Sequence, residues 1–173
     1  VMPGIERADS LVVNPHKWLF TPVDCSVLFL RDPDALRAAF ALTPEYLRTA
    51  EQGTVTNLMD YGPQMGRRFR SLKLWFVIRA YGVEGLRARI RAHCALAQTF
   101  ASWVRADKGF EVCAPVPFST VCFRAVPPGD GPAQDAFNER LLAEVNAAGP
   151  VFLSHTKLHG RIVLRVAIGN MRT

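Results

Sequence analysis

From Val83 to about Asp107, apolar residues return every three or four positions: Leu86, Ile90, Cys94, Ala97, Phe100 and Val104. That step belongs to one face of an α-helix. Arg87, Arg91, Gln98 and Arg105 fall off the stripe, and Gly109 ends the pattern. A long helix with one apolar face has to bury that face against another layer, which makes this stretch the strongest constraint on the fold. Immediately upstream, Phe69, Leu72, Trp75, Phe76 and Arg79 share helical spacing. They predict a helix from about 67 to 81, with Gly82 as its C-terminal cap and with Trp75 and Phe76 in the core.

On either side of these helices the pattern changes. Leu11-Val12-Val13 and Ser26 to Leu30 are short apolar runs, separated by the turn signal Asn14-Pro15. Continuous apolar runs suit strands covered on both faces, so 9–31 is expected to form strand, turn, strand. Asp32 and Pro33 fit the N-cap and first position of a short helix through Phe40. Residues 43–62 read as a long irregular segment, a length often used for lids or binding loops. After Gly109, strands are expected at 110–113, 119–124, 151–154 and 161–168. A helix lies at 133–148, and a tight turn at Leu158-His159-Gly160 joins the last two strands. The last third is therefore β-β-α-β-β, an α+β unit of its own.

Composition sets outer limits. The 173 residues are 49% hydrophobic and 21% charged, with a net charge of +6, a globular composition. The longest uncharged run, 112–123, is too short to cross a membrane and contains two prolines. Cys25, Cys94, Cys113 and Cys122 have no Cys-x-x-Cys or zinc-ligand spacing. They are read as reduced thiols in an intracellular, cytoplasmic protein with no metal site. The opening on Val1 and the absence of a polar tail suggest a fragment. Arg67-Arg68-Phe69-Arg70 could in principle grip phosphates, but no basic-aromatic stripe accompanies it, so no nucleic-acid or membrane partner is expected. His93 is read as an ordinary helix residue, and His155 and His159 as surface residues beside a turn.

The chemistry concentrates in Ala8-Asp9-Ser10-Leu11-Val12-Val13-Asn14-Pro15-His16-Lys17-Trp18-Leu19. It puts His16 and Lys17 on a turn at the end of an apolar strand. A lysine among Trp18, Leu19 and Phe20 would be partly desolvated, which favours the neutral, nucleophilic amine. On residue types alone, a surface lysine beside a turn is the ordinary alternative.

The string Asn-Pro-His-Lys-Trp after Ala-Asp-Ser resembles the cofactor-lysine motif of the group II pyridoxal-phosphate-dependent amino acid decarboxylases, nearest to the aromatic-L-amino-acid branch. Asp24-Cys25-Ser26, Pro44-Glu45-Tyr46-Leu47, 66–76, 81–86 and 164–170 resemble further family blocks in the same order. The resemblance implies the C-terminal part of a fold-type-I α/β enzyme. Residues 1–65 would end the large cofactor domain with its mobile loop, 66–107 would be connecting helices, and 108–173 the small α+β domain. It implies pyridoxal 5'-phosphate as cofactor, a Schiff base at Lys17, His16 beside the cofactor, and Asn14 on its phosphate. Tyr46 would be the loop tyrosine that returns a proton to the substrate carbon; relatives with phenylalanine there tend toward aldehyde formation. The expected activity is decarboxylation of an L-amino acid of the aromatic class by a homodimer, with the isolated segment inactive. The alternatives are a glutamate-type decarboxylase, an aromatic aldehyde synthase, or a non-enzymatic basic binding module. Asp9 and Asp24 each belong to their own block and are not the family's pyridine-nitrogen aspartate.

Overall fold

A computed structural model describes residues 3–41 and 54–173. The chain divides into two compact units, Val1–Ala80 and Tyr81–Thr173.

The first unit starts with a 3-10 turn at Ile5–Arg7 and strand β1, Ser10–Val13. Pro15 fixes the first position of a single helical turn, α1, Pro15–Trp18, because its ring presets helical φ and the missing N–H is not needed there. Strand β2, Val27–Leu30, pairs antiparallel with β1 from Ser10↔Leu30 to Val13↔Val27. Helix α2, Pro33–Phe40, begins as its sequence predicts: the Asp32 carboxylate accepts from the Asp34 and Ala35 amides. A 3-10 turn follows at Leu58–Tyr61.

The expectation of strands covered on both faces needs correction. β1 and β2 form a two-stranded ribbon, and Val12, Leu28 and Phe29 are exposed. A two-stranded ribbon has one partner per strand and, among the described residues, no layer that encloses it. Trp75 and Phe76 are likewise exposed, at 53% and 57%, and are not core residues.

Helix α3 runs Arg70–Ala106 and is broken at Gly82, where φ is 64° and ψ is 172°. The predicted cap is therefore real, although the helix before it starts at Arg70 and not at 67. Past the break, Leu86, Ala97, Ala101 and Val104 are buried, and so is His93.

The second unit carries the antiparallel sheet β3-β4-β6-β5, made of β3 Phe110–Val112, β4 Thr120–Ala125, β5 Ser154–Leu158 and β6 Arg161–Ala167. Helix α4, Gly131–Ala148, sits between β4 and β5 in the chain, with Asp130 as its N-cap. The β-β-α-β-β order is as expected, with one shift: β5 starts at Ser154, and 151–153 lead into it. Val121 and Phe123, two apart on β4, share one face. They join Ala97, Ala101 and Val104 of α3, Leu164 of β6, and Leu141 and Val145 of α4 in the core. The Phe100 and Phe123 rings meet edge to face at 5.2 Å, an arrangement that suits the aromatic quadrupoles. Among the described residues no helix is long and apolar enough to cross a membrane.

Candidate active site

The turn carrying Asn14, His16 and Lys17 is built by local rules. Pro15 starts α1 and is buried, and the Lys17 amide closes the turn on the Asn14 carbonyl at 3.0 Å. Thr21 N–H donates to the Pro15 carbonyl at 3.1 Å and ends it. Three functional groups therefore project from one turn.

His16 is half-buried and pinned by the main chain of Cys25. Its Nδ1 lies 2.7 Å from the Cys25 carbonyl oxygen and 3.2 Å from the Cys25 nitrogen. Either tautomer keeps Nδ1 on the Cys25 main chain, so Nε2 is the ring nitrogen left over for a ligand. Asn14 Oδ1 accepts from Ser26 Oγ at 2.6 Å, so its amide N–H groups remain as donors. Lys17 is exposed. The desolvation by Trp18, Leu19 and Phe20 that the sequence suggests is not what surrounds it, because a one-turn helix leaves its third residue pointing off the end of the strand. Its Nζ makes no ion pair with the described residues. Tyr46, the fourth residue expected at the site, lies outside the described residues.

Beside the turn stands an ionic cluster that motif reading passed over. Asp24 accepts from Arg70 Nε at 2.8 Å and Arg68 Nη2 at 2.6 Å, with Lys73 Nζ at 4.0 Å. The Arg70 hydrogen bond holds the Asp24 carboxyl below the usual carboxylate range; desolvation opposes it, and the Arg68 charge adds to it. The signal was present in the sequence as Asp24 and a basic run, but forty-odd residues separate them.

The other candidates fall away from the turn. The four cysteines are free thiols. Burial pushes the Cys113 thiol up, and Glu111 adds to the shift, which keeps it protonated and unreactive. Among the described residues no group of His, Cys, Asp and Glu could hold a metal ion. His155 and His159 lie on the β5–β6 hairpin in the second unit. A cavity of about 640 Å³, lined by residues such as Phe110, Phe152 and Leu164, also belongs to the second unit and contains none of the site residues.

A turn that presents an exposed primary amine, carboxamide donors and an imidazole ring can capture an aldehyde covalently and hold an anionic group beside it. Residues 1–126 match the pyridoxal-dependent decarboxylase conserved domain, and the chain belongs to that family. It is 46% identical over 169 residues to phenylacetaldehyde synthase of Arabidopsis thaliana, covering 96% of this chain and 34% of the relative. It is 47% identical to tyrosine decarboxylase 2 of the same plant, covering 96% and 31%. The crystal structure of Oryza sativa TDC with PLP and tryptamine superimposes with a TM-score of 0.91 at 41% identity, over 96% of this chain and 36% of that one. The chain thus has the mixed helix-and-sheet fold of the pyridoxal-phosphate-dependent decarboxylases, and spans about a third of the length of these relatives.

Proposed function

We propose that the full protein is a pyridoxal-phosphate-dependent decarboxylase that converts an aromatic L-amino acid to its amine and carbon dioxide. The observation that carries this reading is the Asn14–Lys17 turn, with its exposed amine, inside a chain of this family. The donor set suits the cofactor: Lys17 Nζ is the amine that would hold its aldehyde, and Asn14 would donate to its phosphate. When bound, pyridoxal phosphate supplies an electron sink conjugated to the substrate α-carbon. The chain's own residues do the rest. Lys17 would keep the cofactor seated at the turn between turnovers. His16, held at Nδ1 by the Cys25 main chain, would stand beside the cofactor with Nε2 available to it. Tyr46 returns the proton to the α-carbon.

In this reading residues 1–65 end the cofactor domain, 66–107 connect, and 108–173 form the small α+β domain. The protein works as a cytoplasmic homodimer. The aromatic substrate class rests on the tyrosine and tryptophan decarboxylases among the relatives.

Borohydride reduction of the full-length protein with pyridoxal phosphate, followed by peptide mapping, tests the assignment. The label is expected on Lys17, with Lys17→Ala removing both label and turnover. An unlabelled Lys17 peptide would overturn it. The relation to phenylacetaldehyde synthase favours aldehyde formation as the second reading. Product analysis separates the two: Tyr46 predicts amine, and Tyr46→Phe predicts a shift toward aldehyde.

A further inference from the structure

Asp24, Cys25 and Ser26 follow Lys17 by seven to nine positions, and each makes a different bond. Ser26 Oγ donates to Asn14 Oδ1 at 2.6 Å. The Cys25 main chain holds His16 at Nδ1, and the His16 amide donates to the Cys25 carbonyl at 3.3 Å. Asp24 takes Arg68 and Arg70. The buried Cys25 thiol donates to the Arg70 main-chain carbonyl at 3.8 Å. Arg70, the first residue of α3, is therefore gripped twice, through its guanidinium and through its backbone. The residues flanking Lys17 are tied to the Asp24-Cys25-Ser26 segment, and that segment is tied to α3. A short turn with an exposed amine has little of its own to hold it in one place. A charge-assisted, two-armed carboxylate–guanidinium contact is the strongest bond available in this set.

We propose that Asp24-Cys25-Ser26 is a clamp that positions the Asn14–Lys17 turn, with Asp24 as the positioning residue that locks the clamp to Arg68 and Arg70. The clamp itself is independent of the functional reading, whereas its catalytic consequence rests on it. With Asp24 neutralised, the 24–26 segment keeps only the weaker Cys25 Sγ bond to the Arg70 carbonyl as its hold on α3. His16 and Asn14 then lose fixed orientation, and Lys17 samples positions away from the aldehyde. Misplacement by about 1 Å at a reacting group costs up to about a hundredfold in rate.

The test uses the full-length protein. Hydrogen exchange of the cofactor-free form, read by mass spectrometry, is expected to be about tenfold faster across 14–26 in Asp24→Asn than in the parent, because a locally held segment has lost its anchor. Asp24→Glu, which keeps the charge, is expected to restore most of the protection. With cofactor and substrate, Asp24→Asn is expected to lower kcat about tenfold or more while KM moves far less. Unchanged exchange across 14–26 in Asp24→Asn overturns the clamp, and so does a kcat loss that Asp24→Glu fails to rescue. If Asp24→Asn does not fold, Ser26→Ala decides: it removes only the bond to Asn14. Faster exchange at 14–17 with the 68–73 peptide still protected supports the clamp, and unaltered exchange at 14–17 contradicts it. A parent protein that carries no label on Lys17 would sink the functional reading alone, since the exchange measurements need no cofactor.

Discussion

Arg124 is fully enclosed, yet only one arm of its guanidinium is served: Nη2 reaches Asp135 Oδ1 at 3.2 Å and Gln134 Oε1 at 3.3 Å. Nε and Nη1 are buried without a hydrogen-bond partner among the described residues. A buried cation with two unmet donors depends heavily on its one carboxylate. Asp135→Ala is therefore expected to cost about 3–5 kcal/mol, while Arg124→Met, which removes the charge and keeps the volume, is expected to be near neutral. Urea denaturation of the two variants checks the order, and equal losses would contradict it. Asp24 offers a pH test. Its carboxyl is held below the ordinary range by Arg70 and Arg68. Its contribution is thus present above the unfolded value of about 3.9 and is lost as pH falls through the lower folded value. Asp24→Asn should flatten the stability curve on that acid limb, measured by thermal unfolding from neutral pH downward; a parent curve as flat as the variant's would speak against it. Neither Arg124 nor the Asp24 cluster was legible in the sequence. Alternation places Arg124 on one side of β4 but does not say that Gln134 and Asp135 of α4 reach it. Spacing cannot bring Asp24 to Arg70. Lys17 was legible as the key residue, but its exposure was not, because Trp18, Leu19 and Phe20 suggest shelter that a one-turn helix does not give.

At the scale of elements, signals confined to a few neighbouring residues translated well. Asp32-Pro33 started α2, and His159-Gly160 turned the last hairpin with φ of 51° and 78°. Two positive φ values in succession match the two-residue turn that suits a hairpin's twist. Gly82 is the clearest case. Its backbone lies in a region that is essentially closed to other residues, and an added Cβ would meet nothing within 4 Å. Gly82→Ala is thus expected to cost about 1–3 kcal/mol from backbone strain alone. A Tm unchanged from the parent would show that the helix can run straight. What local signals could not show is how α4 finishes the sheet. The β4–β6 ladder runs from Thr120↔Ala167 to Phe123↔Leu164. Past its end, the buried Asn138 accepts from the Ala125 amide at 2.8 Å and donates to the Ala125 carbonyl at 3.0 Å. One turn earlier on the helix, Asp135 accepts from the Ile162 amide. Helical spacing identifies Leu141 and Val145 as inward, but an asparagine on the inner side reads as a polar interruption until the open ladder end is seen.

On the scale of the whole chain, several large apolar side chains are exposed. Phe69 is 73% exposed and Phe152 84%. Trp75, Phe76 and Trp103 are more than half exposed. The sequence placed Trp75 and Phe76 in a core because periodicity identifies an apolar face but not its partner. Contiguous apolar patches on a monomer mark interaction surfaces or association hazards. A net charge of +6 opposes self-association only over about 8 Å at physiological salt. The isolated 173-residue chain is therefore expected to bind a hydrophobic dye and to associate with rising concentration, more strongly as salt is added. Because Trp75 and Phe76 stand outside both core clusters, Trp75→Glu with Phe76→Lys should weaken dye binding and association while leaving the unfolding midpoint nearly unchanged. Sedimentation velocity across a concentration series at two salt levels measures the first effect, and thermal unfolding the second. A parent chain that stays monomeric and dye-free, or a double variant that unfolds well below the parent, would place those two rings in a core after all.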